Sequence, residues 1–322
     1  MKTFSIFFLS LFFLLSCDKN NLHTTELFVF GTLVKINIIN DDKQQAENAI
    51  IEISRLFNDL HIRWHAWNPD SELMKINKKI SLGQKNIKVS TQTITALKLA
   101  QDFEKKSMGY FNPTIGKLIK KWGFLQDDFN NNSPPDSLQI KELLKNPPSM
   151  QQVIINQDSI VVSNKNIYFD FGAFGKGQAV DMAMKILKKH NIKNALINAG
   201  GDINIIGKKF NNPWVVAIKS PFDESIIQTF KVNGKKSIYT SGSYARQYKH
   251  QDKTYHHLIN PTSGKQSESD IVSVSVLCDE GAACDAIATA LMIAPEKHRQ
   301  QILDNFKIKK YLIIKKDGSK IF

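Results

Sequence analysis

The stretch Ala195-Leu196-Ile197-Asn198-Ala199-Gly200-Gly201-Asp202-Ile203-Asn204-Ile205-Ile206 reads as two short apolar runs broken by a Gly-Gly-Asp turn former. Residues 214–219, 229–232 and 236–239 follow as further strand-like runs, with no helical segment between them. Strands that arrive in succession pair as antiparallel neighbours. The chain is therefore expected to be α+β, a mostly antiparallel sheet with packed helices. Upstream, residues 25–40 alternate around Gly31, with Leu27, Val29, Leu33, Ile36 and Ile38 on the apolar positions, and predict a strand pair or a bulged strand. Asp41-Asp42 should cap a helix to about residue 61, whose inner face is Ala46, Ala49, Ile50, Ile53, Leu56, Phe57 and Leu60. Residues 64–77 read as a loop or short turn, and Ser90 or Thr91 opens a second helix to about residue 106. Prolines 134, 135, 147 and 148 break residues 126–150 around one short helix. Residues 152–162 and 165–171 read as strands and 176–190 as a helix; strand 271–277, helix 284–293 and strand 310–314 complete the chain.

The 322 residues carry 43 Lys plus Arg against 30 Asp plus Glu, a net charge of +13, with 42% apolar and 23% charged residues. Those proportions exclude a wholly disordered or collagen-like chain. A solvated basic surface explains the charge, because zinc-finger spacing and aromatic-rich basic repeats are both missing. Only one apolar run approaches membrane-spanning character, and it lies at residues 4–15, behind Lys2. It ends in Leu14-Leu15-Ser16-Cys17, the pattern of a secretory signal whose tail is similar to a bacterial lipobox. The expected organisation is a signal peptide over 1–16, a tether over 17–26 starting at lipidated Cys17, and one domain over 27–322. The protein would then be exported, anchored to a membrane through lipid, facing the periplasm and free of nucleic acid. Cys278 and Cys284 remain; six apart, they do not specify a disulfide, and two small buried hydrophobes are expected.

Four segments concentrate small and polar residues. In Asp170-Phe171-Gly172-Ala173-Phe174-Gly175-Lys176-Gly177, glycines and a helix N-terminus let backbone N–H groups approach a phosphate, and Lys176 adds charge. A plain Gly-rich turn reads equally well there. Asn198-Ala199-Gly200-Gly201-Asp202 makes a tight turn. Thr240-Ser241-Gly242-Ser243-Tyr244 precedes His256-His257-Leu258-Ile259-Asn260-Pro261-Thr262-Ser263-Gly264, which holds a candidate proton carrier. Asp285 and Thr289, four apart on a helix, share a face and offer hard oxygen ligands, suited to Mg²⁺ and poor for zinc. That pair is a common one in isolation.

Taken in order, these segments resemble the ApbE family of flavin transferases. The resemblance runs from Phe30-Gly31-Thr32 through residues 71–77 (Ser-Glu-Leu-Met-Lys-Ile-Asn) and Phe111-Asn112-Pro113-Thr114-Ile115-Gly116. It continues through residues 170–177 with Asp181, 198–202, 240–244 and 257–264, and ends at 283–291, covering about residues 27–295. It implies an enzyme that takes FAD as substrate, requires Mg²⁺, and transfers FMN to a Thr or Ser hydroxyl of an exported or periplasm-facing flavoprotein, releasing AMP. Subunits of Na⁺-pumping NADH:quinone reductase or of the Rnf complex are the typical acceptors. The resemblance implies Asp285, Thr289 and the Ala173 carbonyl as metal ligands and His257 as the base. Lys176 would hold phosphate, and Gly31, Thr32, Asn77, Asp202, Ser241 and Gly242 would line the flavin-nucleotide site. Asn112 and Asn260 stand where the family usually has Asp, Cys284 where Ala is usual, and Phe174 where Ile or Val is common. His65 and Trp67 replace small or aromatic residues. The same site would serve an FAD pyrophosphatase giving FMN and AMP. A flavin-binding lipoprotein without turnover is the third reading, which the presence of Asp285 and His257 disfavours.

Overall fold

The structure, a computed structural model, describes residues 21–126, 128 and 132–322. The expected signal peptide and lipidated Cys17 lie outside the described residues. Strand β1 (Leu22–Val29) pairs antiparallel with β2 (Thr32–Ile39), and β2 buries Val34, Ile36 and Ile38 on one face. The alternation around Gly31 is thus a hairpin. Residues 22–26, expected in a tether, belong to β1: Leu22 pairs with Ile39, because the four polar residues His23 to Glu26 still satisfy their backbone in the ladder.

Helix α1 (Lys43–Arg63) is capped by the Asp42 carboxylate on the Gln45 N–H and buries Ala46, Ala49, Ile53, Phe57 and Leu60. Residues 64–77 are not all loop. Ser71 accepts from the Met74 N–H and starts α2 (Glu72–Ser81), which buries Leu73, Ile76 and Ile80 at helical spacing. After β3 (Asn86–Lys88) come α3 (Thr91–Lys106), the short α4 (Gly116–Lys121) and α5 (Ser137–Leu144). Then β4 (Val153–Ile155) and β5 (Ser159–Val162) join β3 in a small sheet. Residues 165–171 are not a strand: they open on a turn at 165–166, and among the described residues their one β-bridge is the isolated one from Tyr168 to Ile115. Their alternating Ile167, Phe169 and Phe171 are buried, which is why they read as β.

Helix α6 (Gly175–Lys189) leads into β6 (Asn194–Ala199) and β7 (Asp202–Ile206), the hairpin that decided the fold. Next come β8 (Trp214–Lys219), β9 (Ile226–Val232), β10 (Lys236–Gly242), β11 (Gln247–His250), β12 (Lys253–His256) and β13 (Ile271–Cys278). Helices α7 (Gly281–Ile293) and α8 (Glu296–Asn305) precede β14 (Lys310–Lys315) and β15 (Lys320–Ile321). One eight-stranded sheet runs β1-β2-β6-β7-β10-β13-β14-β15 with every pairing antiparallel, so the α+β expectation holds. Its helix-covered face packs the fully buried Phe57, Phe111, Phe169 and Phe174, each contributing roughly 2–3 kcal/mol by burial. The β8–β9 ribbon covers the other face through Trp214, Val216 and Val232.

The end of β13 and the first turn of α7 bring the Cα atoms of Cys278 and Cys284 to 5.9 Å, within disulfide range, and the two are bonded. The expectation of two separate thiols is corrected: the sharp β-to-α reversal supplies a proximity that spacing alone does not show. Among the described residues no helix is long and apolar enough to cross a membrane.

Candidate active site

The site begins with two helix N-termini pressed together. A Cβ on Gly177 would stand 2.5 Å from the carbonyl carbon and oxygen of Gly281, so only glycine lets α6 and α7 approach this closely. Asp181 on α6 then caps α7 from outside. Its two oxygens accept the Gly281 N–H at 2.7 Å and the Ala282 N–H at 2.8 Å, and Asn204 Nδ2 donates at 2.9 Å. Burial pushes the Asp181 carboxyl up to about 6, against the pull of these donors.

The segment before α6 is pinned from both sides. Asn77 donates to the Phe169 carbonyl at 2.9 Å and accepts the Phe169 N–H at 2.7 Å, while the Asp170 N–H reaches the Pro113 carbonyl at 2.8 Å. Phe174 anchors the turn edge-on to Phe111 and Phe171. Together these contacts hold Ala173 and Lys176 at the wall of a cleft of about 230 Å³.

That cleft gathers His257, Lys176, Asp202, Ser241, Gly242, Ala173, Asp285 and Thr289, contributed by α6 and the turn before it, β7, β10, α7 and the segment after β12. Three expected site residues are not among its lining. Gly31 lies in the β1–β2 turn and Thr32 opens β2 against Gly200, where a Cβ on the glycine would stand 2.3 Å from Thr32 Oγ1. Asn77, expected to face the ligand, is instead buried and fully spent on the Phe169 backbone; its amide shapes the wall one residue ahead of Asp170. The wall's other end is apolar, with Phe111, Pro113, Ile115, Leu258 and Ile293.

At the polar end Lys176 Nζ donates to Asp202 Oδ2, and Asp202 Oδ1 accepts the Thr240 N–H at 3.2 Å. Burial would lower the Lys176 ammonium, but Asp202 and Asp285 more than offset it and the net shift is upward. Burial, then the neighbouring Asp202 charge, pushes Asp285 up to about 7 against the pull of Lys176. Asp285 Oδ2 is buried without a hydrogen-bond partner. A buried orphaned carboxylate oxygen between other carboxylates is what a divalent cation would relieve. Among the described residues no three His, Cys, Asp or Glu side chains gather around a metal position. A cation here would therefore draw on neutral oxygens as well, and the Thr289 hydroxyl and Ala173 carbonyl line the same cleft. The donor set fits Mg²⁺ and does not fit zinc.

His257 Nδ1 lies 3.2 Å from the Arg246 carbonyl, which can only accept. Nδ1 therefore carries the proton and Nε2 keeps its lone pair. Burial, then the Arg246 guanidinium, lowers this imidazole to about 4. It is neutral at pH 7 and able to accept a proton. Sequence reading did not single out Arg246, Tyr110 or Ile293, which also line the cleft. Tyr110 Oη is fixed at 2.8 Å from His298 Nδ1 on α8, a helix the sequence reading passed over. His65 and Trp67 also gain a place. His65 Nδ1 accepts the Asn68 N–H at 3.2 Å, and the Trp67 ring centre lies 5.7 Å from Arg246 Cζ.

The ApbE family model matches residues 30–312. A FAD:protein FMN transferase of Rhodobacter capsulatus is 32% identical over 91% of this chain, which spans only 55% of that relative's length. One from Vibrio cholerae is 27% identical over 98% of this chain and 95% of its own length. Among solved structures, an ApbE protein from Thermotoga maritima superposes with a TM-score of 0.83 at 26% identity, covering 93% of this chain and 96% of that one. The flavin transferase ApbE from Vibrio cholerae gives 0.79 at 26% identity with the same coverage.

Proposed function

We infer the function from one premise: the chain belongs to the ApbE family. We propose that it is an FAD:protein FMN transferase, the activity named for its relatives from Rhodobacter capsulatus and Vibrio cholerae. The observation that carries this reading is the His257 imidazole, tautomer fixed by the Arg246 carbonyl, in one cleft with the Lys176–Asp202 pair and Asp285.

In the proposed reaction a Thr or Ser hydroxyl of an acceptor flavoprotein attacks the FMN phosphorus of FAD. The new bond is the phosphoester to the acceptor, the bond broken is the pyrophosphate P–O bond, and AMP leaves. His257 Nε2 takes the hydroxyl proton, which an alcohol cannot lose unaided near pH 7. Lys176 faces the phosphates and stays cationic because Asp202 holds it. Asp285, Thr289 and the Ala173 carbonyl would hold Mg²⁺, which supplies neutralisation of charge developing on the pyrophosphate. Ser241, Gly242 and Asp202 bound the polar wall against which the nucleotide would lie. We propose further that Cys17 carries a lipid anchor and that the catalytic domain faces the periplasm, a reading supported by the lipobox-like pattern of residues 14–17. The acceptor would then be an exported flavoprotein of the Na⁺-pumping NADH:quinone reductase or Rnf type.

The test incubates residues 18–322 with FAD, Mg²⁺ and the soluble domain of such an acceptor subunit, then denatures the mixture and resolves it on a gel. Flavin fluorescence that stays with the denatured acceptor supports transfer. Fluorescence that runs with the dye front, with AMP formed, supports FAD hydrolysis and contradicts transfer.

A further inference from the structure

The strands of the main sheet have a cleft end and a far end. Asp202, Ser241 and Gly242 mark the cleft end. The far end is fixed by the pairings Leu22–Ile39, Ile39–Asn194, Ala195–Ile206, Ile205–Lys236 and Leu277–Lys310. Six lysines crowd it: Lys193 ahead of β6, Lys208 and Lys209 after β7, Lys307 and Lys309 ahead of β14, and Lys310 opening β14. All six are exposed, and none has an ion-pair partner among the described residues. Nearby acids are already paired, Glu280 with Lys235, Asp279 with Lys236 and Glu52 with Lys189. Asp41, Asp42 and Asp304 remain; Asp41 accepts from Asn21, Asp42 caps α1 and Asp304 accepts from Gln300. Positive charge therefore prevails at this end. Beside Lys209, Phe210 is 50% exposed and held at φ 53°, a left-handed backbone that a bulky side chain rarely adopts. An aromatic ring kept exposed among lysines suits a boundary that is anionic outside and apolar within.

The chain also enters the fold at this end. Cys17 stands five residues before Leu22, a span of at most ~18 Å. Leu22 in turn lies two strand spacings, about 10 Å, from Asn194. We propose that the far end of the sheet, through its six lysines and Phe210, binds an anionic phospholipid surface. From β6 to β14 the lysines span four strand spacings, about 19 Å, so several headgroups are met at once. An acidic protein face would answer the same charge, but the entry point of the chain favours lipid. That preference rests on the proposed lipidation of Cys17, whereas the binding itself needs only the lysines and the ring. Four residue steps along β7, roughly 13 Å, separate Asp202 from Ile206, so a lipid surface seated on Lys208 and Lys209 leaves the cleft clear.

The test uses residues 18–322, which contain every element of the fold and lack Cys17, and sediments them with sucrose-loaded vesicles. Vesicles of phosphatidylcholine with one third phosphatidylglycerol should bind the protein at low salt and release it at high salt, and pure phosphatidylcholine should bind little. Replacing Lys193, Lys208, Lys209 and Lys309 together by Gln should weaken binding ~30-fold or more. Replacing the exposed Lys85, Lys88, Lys98 and Lys141 by Gln removes equal charge from β3, α3 and α5, outside the main sheet, and should weaken it less than ~3-fold. Phe210→Ser should weaken it roughly 3–10-fold. The double variant Lys208→Gln/Lys209→Gln serves if the fourfold one does not fold, as judged by circular dichroism. Equal binding to the two kinds of vesicle, or an equal loss in the two fourfold variants, overturns the proposal. Neither lipidation nor FMN transfer enters this assay. A chain expressed from residue 1 without acyl mass on Cys17 refutes the anchor alone, and an inactive protein that still binds these vesicles refutes the transferase reading alone.

Discussion

Asp285→Asn should make the metal-free protein more stable while removing its response to Mg²⁺. In the fold, burial and then Asp202 push the Asp285 carboxyl from its usual 3.8 up to about 7. The folded state therefore binds more protons than the unfolded chain between those values, and stability falls as pH rises through that window. By pH 8 the group is ionised in both states, and the displacement corresponds to about 4 kcal/mol held against the fold. Asparagine carries no such penalty. Lys176 loses one of its two counter-charges, which returns part of the gain and leaves a net stabilisation of about 2 kcal/mol at pH 8. At pH 5 the folded carboxyl is still protonated, so the gain should disappear there, the difference between the two pH values being about 3 kcal/mol. Urea denaturation in EDTA at both pH values reads the difference directly. A parallel pair of curves with millimolar Mg²⁺ and FAD should stabilise wild type and leave the variant unmoved. A variant less stable than wild type at pH 8, or a gain equal at the two pH values, would refute the reasoning.

Three further perturbations follow from the same geometry. His257→Ala should slow FMN transfer ~10²-fold or more while FAD affinity, read by fluorescence quenching, changes less than ~3-fold; an unchanged rate moves the base elsewhere. Gly177→Ala sets a methyl against the Gly281 backbone at 2.5 Å and must part the two helix N-termini. It should cost about 2–3 kcal/mol in chemical denaturation, and wild-type stability would show that α7 yields freely. The Cys278→Ala/Cys284→Ala double variant opens a short covalent loop and should lose about 2 kcal/mol, with thiol titration of the unreduced, denatured domain from residue 18 showing no free sulfhydryl in wild type.

The strands and the long helices were legible because their periods are. Val34, Ile36 and Ile38 alternate, and the α1 face repeats at helical spacing, so the sheet and its cover could be read directly. Residues 165–171 show what alternation leaves out: Ile167, Phe169 and Phe171 do bury one face, but the backbone partner of Phe169 is the Asn77 side chain. Period reports a face and says nothing of a neighbour. Helix α2 escaped although Ser71, Glu72, Leu73, Ile76 and Ile80 carried its cap and face, because the preceding Pro69 and Ser71 drew the reading toward a turn. At the site, Ala173, Lys176, Asp202, Ser241, Gly242, His257, Asp285 and Thr289, placed by short motifs, met in one cleft, while Gly31 and Thr32 did not. Asn77 did not reach the cleft, because a motif gives the residue type and not the direction its amide points. Arg246 was invisible for the opposite reason. Its contacts, the carbonyl on His257 and the guanidinium beside Trp67, close only when the chain folds.

Intact-mass spectrometry of the acceptor domain tests the central claim most directly. With residues 18–322, FAD and Mg²⁺, the acceptor should gain the mass of one FMN phosphoester, and EDTA should abolish the gain. An unmodified acceptor alongside free FMN and AMP, or alongside intact FAD, would contradict it.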